Sequence, residues 1–111
     1  MSVAGERTFP TSLTLSAKSS YSFGTDSRTV NILVEGVNVG TCTLGSRTGS
    51  NNNYTYTLSG LTVNDTVDVT SWNGNTQITF QFTYRNQTYT SGSVTLTQVL
   101  AGSATITFTS N

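Results

Sequence analysis

TQITFQFTYR, residues Thr76–Arg85, alternates polar and apolar side chains without interruption. Ile78, Phe80, Phe82 and Tyr84 fall on one side of an extended chain, and the polar residues between them fall on the other. Because side chains alternate across a strand, this pattern predicts a β-strand with one buried face and one solvated face. With four large apolar side chains in a row, we expect the strand to lie at the centre of a sheet.

Turn signals flank this strand on both sides. Asn73-Gly74, just before it, is typical of a two-residue type I′ hairpin. Pairing outward from that turn sets Val69 opposite Ile78, which matches apolar with apolar. After the strand, we predict a turn at Asn86-Gln87 and then a bulge at Ser91-Gly92, which returns the later apolar residues to the buried face.

The rest of the chain carries further short strands, and Thr, Ser and Val are abundant. Glu35-Gly36 predicts a second two-residue hairpin, followed by a bulge at Gly40-Thr41. The segment 45–53, GSRTGSNNN, is predicted to be a mobile surface loop. About eight or nine short strands and no helix are expected at this spacing of turns. Each sheet has one apolar face, which it can bury by packing against a second sheet. We therefore predict an all-β, two-layer antiparallel β-sandwich, immunoglobulin-like or jelly-roll-like.

A length of 111 residues fits one domain. Residues 9–111 are predicted to form this domain, and residues 1–8, which show no periodic pattern, a flexible N-terminal arm. Charged residues make up 9% of the chain, and five acids balance five bases. Without a basic stripe, nucleic acid is not expected as a partner. A weakly charged surface resists self-association poorly, so we expect a homo-oligomer.

The N-terminal sequence MSVAGERTF has no apolar core, and no apolar run approaches the roughly 18 residues of a membrane helix. We therefore expect synthesis in the cytoplasm without a signal peptide, and no membrane partner. Cys42 is the single cysteine, which excludes an intramolecular disulfide. It is expected to pack as a small apolar residue.

Several kinds of catalytic chemistry are excluded by composition. The chain has no histidine, which removes Ser-His-Asp and Cys-His catalysis and histidine-containing metal sites. Asp65 and Asp68 are the one close pair of carboxylates, and on a strand they would point to opposite faces. Glycosidases need two carboxylates that flank the same bond. We therefore expect no enzyme activity, no metal and no cofactor.

Trp72 is the most informative candidate for binding. Trp72 is three positions from Val69, so on a continuous strand its side chain would lie on the opposite face from that of Val69. This predicts a position on the outer face beside the Asn73-Gly74 turn. Exposed tryptophans at loop tips are enriched in binding surfaces. The alternatives are a Trp72 covered by a neighbouring segment and a polar strand face that is ordinary solvated sheet. The predicted binding residues are Trp72, Asn73, Asn75, Gln77, Thr79, Gln81 and Arg85.

Two segments resemble parts of known families. TLSGLTVNDTVDV, Thr57–Val69, resembles the corner of fibronectin type III and related immunoglobulin-like domains, where a Gly-Leu pair precedes a turn and the next inward strand. This resemblance implies a β-sandwich. TVNILVEGVNV, 29–39, is similar to the early strands of small bacterial calcium-dependent lectins. Those lectins hold calcium with a C-terminal Asp and Asn cluster, whereas LAGSATITFTSN at the end of this chain has no acid, so calcium-mediated sugar binding is not implied.

In composition, the whole chain resembles small virion proteins, which are neutral, rich in Ser, Thr, Asn and Gly, and free of disulfides. Phage capsid decoration (cement) proteins, head fibres and tail adhesin domains are the closest types. This resemblance implies a non-enzymatic structural module that docks onto protein partners of an assembly, in a virion or an extracellular assembly. The alternative is a carbohydrate-binding module or lectin that contacts a glycan through Trp72 and the Asn-rich loops. A generic immunoglobulin-like adhesion or spacer domain is the third possibility.

Overall fold

The computed structural model describes residues 9–110 of the chain, which contain eight β-strands and one short helix. The predicted all-β class is confirmed, apart from one turn of helix, and the predicted arm at residues 1–8 lies outside the described residues. The strands are β1 (Thr14–Ser19), β2 (Arg28–Val34), β3 (Val37–Ser50), β4 (Asn53–Val63), β5 (Gln77–Tyr84), β6 (Gln87–Ser91), β7 (Val94–Thr95) and β8 (Thr105–Ser110), and the helix is α1 (Leu96–Leu100).

The strands close into a single barrel. Seven of them follow one another in the order β2-β3-β4-β1-β8-β6-β5, and β5 pairs back with β2. β1 and β8 are parallel, the other pairs are antiparallel, and the short β7 joins β5 beside the ring. The predicted two-layer antiparallel sandwich, immunoglobulin-like or jelly-roll-like, is therefore wrong. A closed sheet hides one face of every strand in its own interior, which satisfies the same apolar alternation without a second layer.

The alternating stretch in β5 closes the barrel. Ile78 lies opposite Val34, and Phe80 lies opposite Ile32. The side chains of Ile78 and Phe80 are fully buried, and Phe82 is nearly so. The predicted strand with one buried face is confirmed, but its partner on this side is β2 and not the segment that directly precedes it.

The hairpin predicted at Asn73-Gly74 does not form. Residues 64–76 are an irregular connection, and neither Asn73 nor Gly74 has the left-handed backbone that a type I′ turn requires. The Asn73 Oδ1 atom instead accepts a hydrogen bond from the Asn75 amide at 2.7 Å. The Gly74 carbonyl accepts hydrogen bonds from the amide and the hydroxyl of Thr97 in α1, at 3.1 and 3.0 Å. The turn therefore holds α1 in place, and Val69 enters the core from a loop and not from a strand.

The hairpin predicted at Glu35-Gly36 is confirmed. Both residues are left-handed, with φ of 52° and 81°, and Val34 lies opposite Val37. The register shifts at Val39, which is one residue before the bulge predicted at Gly40-Thr41.

The segment 45–53, predicted to be a mobile loop, is mostly strand. β3 continues to Ser50 and β4 begins at Asn53, so the turn consists of Asn51 and Asn52. Both have left-handed φ values, 57° and 64°, a conformation that asparagine tolerates better than most residues. β1 stops with Ser19 opposite Tyr54, so the β3–β4 hairpin extends beyond it.

The turn after β5 lies at Arg85-Asn86, one residue before the predicted position. Both residues are left-handed, with φ of 51° and 66°, and Phe82 faces Tyr89. Ser91 ends β6 with its side chain buried, and its hydroxyl accepts a hydrogen bond from the Phe80 amide at 2.8 Å. The predicted irregularity is therefore present, but it is the break between β6 and β7 and not a bulge within one strand.

Candidate functional site

The two ends of the barrel carry opposite charge. β1, β3, β5 and β8 end, and β2, β4 and β6 begin, at the same end of the barrel. We call this the basic end, because Lys18, Arg28, Arg47 and Arg85 lie there, together with one acid, Asp26. We call the opposite end the acidic end, because Glu35, Asp65 and Asp68 lie there. Charges that cancel in the net total are therefore separated along the barrel within residues 9–110.

At the basic end, the Tyr84 ring contacts two guanidinium groups. The guanidinium carbon of Arg28 is 4.2 Å from the ring centroid, and that of Arg85 is 5.3 Å away. The Arg28 Nε atom also donates a hydrogen bond to the Phe23 carbonyl at 2.7 Å. Contacts of this kind position an arginine over an aromatic face while its charge stays at the surface.

The loop between β1 and β2, residues 20–27, covers the barrel interior at the basic end. The Phe23 ring is buried and meets the Phe82 ring edge-on, with 4.8 Å between centroids. The Tyr56 hydroxyl donates to the Tyr21 carbonyl and accepts from the Phe23 amide, both at 2.9 Å. Burial raises the pKa of Tyr56, so its hydroxyl stays protonated and remains a donor. The loop is consequently held by its backbone as well as by its buried ring.

An open cleft of about 460 Å³ lies between this loop and the tip of the β3–β4 hairpin. We call it the tyrosine cleft. Tyr21 is 52% exposed, and its ring rests edge-on against Tyr89 with 5.4 Å between centroids. The lining residues are Ser20, Tyr21, Ser22, Asn52 and Tyr54.

Arg47 adds a positive charge beside the cleft. One terminal nitrogen of its guanidinium donates a hydrogen bond to the Ser22 hydroxyl. Its guanidinium carbon is 5.6 Å from the centroid of the Tyr54 ring. The tyrosine cleft therefore combines aromatic rings, two hydroxyls and an amide with a nearby cation.

Trp72 does not lie on the outer surface. Its side chain is buried, with 6% exposure, and it belongs to the connection at the acidic end. The prediction of an exposed Trp72 is wrong, because the strand parity on which it depended does not extend through residues 64–76. The alternative of a covered tryptophan is the one observed.

The predicted residues beside Trp72 mainly stabilise their own turn. Asn73 and Asn75 are exposed at the acidic end and are joined by the hydrogen bond described above. The Gln77 side-chain amide donates to the Asn75 carbonyl at 3.1 Å. These contacts explain the local structure of the turn without a ligand.

The other predicted residues are spread along the outside of β5. Thr79 is half-buried opposite Leu33 of β2, and Gln81 donates from its side-chain amide to the Thr90 hydroxyl of β6 at 3.0 Å. Arg85 is the predicted residue that lies at the basic end. The predicted set therefore extends from the connection at the acidic end, along the outside of β5, to the turn at the basic end, and does not converge on one site.

The tyrosine cleft was missed from the sequence because three separate segments contribute to it. Tyr21 lies in the loop between β1 and β2, Tyr54 lies in β4, and Asn52 belongs to the segment that was predicted to be a mobile loop. One signal was present in the sequence, since Asn51-Asn52 is a pair of residues that accept left-handed backbone. A hairpin at that pair would have placed Asn52 near Tyr54.

Cys42 is a free thiol inside the barrel. Burial raises its pKa to about 12, so the thiol stays protonated at neutral pH and is a poor nucleophile. The prediction that it packs as a small apolar residue is confirmed. Within residues 9–110, no three His, Cys, Asp or Glu side chains are grouped so that they could hold a metal ion. The same part of the chain has no helix of the length and apolarity needed to cross a membrane.

Comparison of the chain with protein-family models, with curated proteins and with solved structures gave no match. The family resemblances inferred from the sequence therefore stay predictions, and the function is argued from the geometry of the barrel.

Proposed function

We propose that the protein is a non-enzymatic structural module that docks onto protein partners in an assembly through its basic end. The separation of charge carries this proposal. A chain with 9% charged residues has few charges to place, and its four basic residues within 9–110 all lie at one end. A surface of one sign steers association and fixes the orientation of a complementary partner.

A second copy of the chain is the partner that the charges fit most directly. Three acidic residues lie at the acidic end, so the basic end of one copy complements the acidic end of the next. A contact between two different surfaces is heterologous, and its repetition builds a ring or a filament. This arrangement supports the homo-oligomer expected from the weakly charged composition.

Closure of the barrel favours docking of a partner at its two ends and not at a strand edge. Each of its seven strands is hydrogen-bonded on both sides, and closure of this kind removes the edges through which sheets extend into one another. The type of protein that we propose is a virion decoration (cement) protein, a head fibre or an adhesin domain, located in a virion or an extracellular assembly. The absence of histidine and the buried Cys42 thiol support a role without catalysis.

Sedimentation analysis over a range of concentration and salt tests this proposal. We expect self-association at low ionic strength that weakens at high ionic strength, because salt screens exposed charges over about 10 Å at 0.1 M. Arg85→Gln removes one positive charge from the basic end and should weaken association. Thr43→Glu changes the net charge equally, at an exposed position in the middle of β3, and should leave association nearly unchanged.

The proposal fails if the protein stays monomeric at high concentration and low salt and also binds no shell or fibre protein. It also fails if Thr43→Glu weakens association as much as Arg85→Gln does, because the position of the charge would then have no role.

A further inference from the structure

We infer that the tyrosine cleft is a binding site for a saccharide that carries a carboxylate, such as a sialic acid or a uronic acid in a glycan. This inference does not depend on docking between the two ends. It rests on the rings, hydroxyls, amide and cation that converge at this cleft.

Tyr21 supplies a flat apolar surface that a sugar ring can cover. Three large apolar side chains are exposed within residues 9–110, and Tyr21, at 52% exposure, is the one aromatic residue among them. The C–H groups of a pyranose form an apolar face that packs on an aromatic ring, and the tyrosine hydroxyl can bond to the polar rim of the sugar. Tyr54, half-buried, lines the same cleft.

The wall that carries Tyr21 is fixed before any ligand arrives. The Ser19 hydroxyl accepts from the Tyr21 amide at 3.1 Å and donates to the Phe108 carbonyl of β8 at 3.2 Å. The Tyr56 hydroxyl bonds to the Tyr21 carbonyl, so both backbone groups of Tyr21 are held. A rigid aromatic loses little conformational entropy on binding, which favours an exposed ring in this setting as a contact residue.

The polar groups of the cleft match the hydroxyls of a sugar. Ser20 contributes a hydroxyl and Asn52 an amide, and both groups can donate and accept hydrogen bonds. The Ser22 hydroxyl accepts from Arg47 and from the Gly24 amide, and it can still donate to a ligand. A few polar groups beside apolar faces are typical of small-molecule sites. Asn52 is fixed by its place in the two-residue turn between β3 and β4.

Arg47 and the charge of the basic end favour an anionic sugar over a neutral one. The Arg47 guanidinium lies beside the cleft, bonded to Ser22 and close to the Tyr54 ring. A guanidinium carries five donors in a planar fork that matches a carboxylate. Four bases and one acid at this end of the barrel add an attractive field for anions.

An array that prints sialylated and uronic-acid-containing oligosaccharides beside their neutral counterparts tests the inference. We expect the wild-type protein to bind one or more acidic glycans at least about tenfold better than the matched neutral glycan, as a charge-assisted bidentate contact provides. Tyr21→Ala should lower this binding by about tenfold or more, and Tyr21→Phe, which keeps the ring, should retain most of it. Arg47→Gln should bring the acidic and neutral signals close to each other. Gln77→Ala, at the acidic end, should change neither signal.

Thermal unfolding of each variant separates loss of the site from loss of the fold. Sedimentation of Tyr21→Ala separates this inference from the docking proposal, because the variant keeps the four bases of the basic end and should still self-associate. The inference is overturned if no glycan binds above background, or if folded Tyr21→Ala binds as well as the wild type. Equal binding of acidic and neutral glycans by the wild type would overturn the assignment of a carboxylate.

Discussion

Gly40 lies where β3 passes close to the backbone of β4. A Cβ atom at this position would overlap the carbonyl oxygen of Thr62. We predict that Gly40→Ala lowers the free energy of unfolding by about 1–3 kcal/mol, because the clash is with backbone and can be relieved only if a strand shifts. Urea unfolding measures the change.

Gly92 provides the matched control for this substitution. A Cβ atom there meets nothing within 4 Å, and Gly92 is not among the residues with positive φ. Gly92→Ala should change stability by less than about 0.5 kcal/mol. If Gly40→Ala were tolerated equally well, the close approach of β3 and β4 would be contradicted.

Cys42 makes stability depend on alkaline pH. Its folded-state pKa of about 12 is above the ordinary value of 9.0, so the thiol ionises first in the unfolded chain as the pH rises. Cys42 contributes fully to the free energy of unfolding below pH 9, and this contribution is lost progressively as the pH rises from 9 to about 12. Each unit of pH within this interval removes about 1.4 kcal/mol.

Cys42→Ala isolates this contribution from those of the buried tyrosines, which titrate in both proteins. We expect the difference in unfolding free energy between wild type and Cys42→Ala to shrink as the pH rises above about 9. Urea unfolding in a series of alkaline buffers measures it. A difference that stays constant with pH would show that the thiol is not shielded from water in the folded state.

Burial of single residues was predictable from the sequence only where the chain is extended. Ile78 and Phe80 were assigned correctly because side chains alternate strictly along a strand. Trp72 was assigned wrongly because the same rule was applied to residues 64–76, which are not extended. In an irregular connection the side chains do not alternate between two faces, so the sequence does not indicate whether an apolar residue there points into the core.

The loop between β1 and β2 depends on the Phe23 side chain. This ring is 1% exposed and contacts a group of aromatic rings at the basic end, with Phe82 and Tyr89 both at 4.8 Å between centroids. We predict that Phe23→Ala lowers the free energy of unfolding by about 3–5 kcal/mol, through lost burial and the cavity that remains. Denaturant unfolding measures the loss.

Tyr21→Ala is the control two residues away in the same loop. Its ring is half-exposed, and its hydrogen bonds to Ser19 and Tyr56 use backbone atoms. We expect it to cost less than about 1.5 kcal/mol, mainly the edge contact with Tyr89. Similar losses for the two variants would contradict the role of Phe23 as the side chain that closes this end.

Turns were predictable when local chemistry alone decides them. Glu35-Gly36 forms the expected hairpin, whereas Asn73-Gly74, which carries the stronger local signal, does not. The Gly74 carbonyl is bound by Thr97, far along the chain, and the sequence offers no local sign of that contact. Tertiary hydrogen bonds therefore overrode the propensity of the dipeptide.

At the scale of the whole molecule, the sequence was sufficient to predict the all-β class, but not whether the strands form a two-layer sandwich or a closed barrel. Alternation in β5 requires a buried face, and a sandwich and a barrel both provide one. Pairing of β5 with β2 decides between them, and it joins segments that no turn connects. The charge separation and the tyrosine cleft have the same origin, because each depends on which strand ends the closed sheet brings together.

Docking between the two ends of the barrel is the central functional claim, and two complementary variants test it. Lys18→Gln with Arg85→Gln weakens the basic end and keeps Arg28 and Arg47, which bond to the β1–β2 loop. Glu35→Gln with Asp65→Asn weakens the acidic end. That pair keeps Asp68, whose carboxylate accepts hydrogen bonds from Thr70 that hold its pKa below the usual value.

The deciding measurement is the mass in solution, at low salt, of each double variant alone and of an equimolar mixture of the two. We predict that each variant alone is monomeric, that the wild type assembles beyond a dimer, and that the mixture forms a one-to-one dimer through its remaining intact ends. A variant that assembles alone as the wild type does, or a mixture that stays monomeric while the wild type assembles, would contradict docking between the basic and the acidic end.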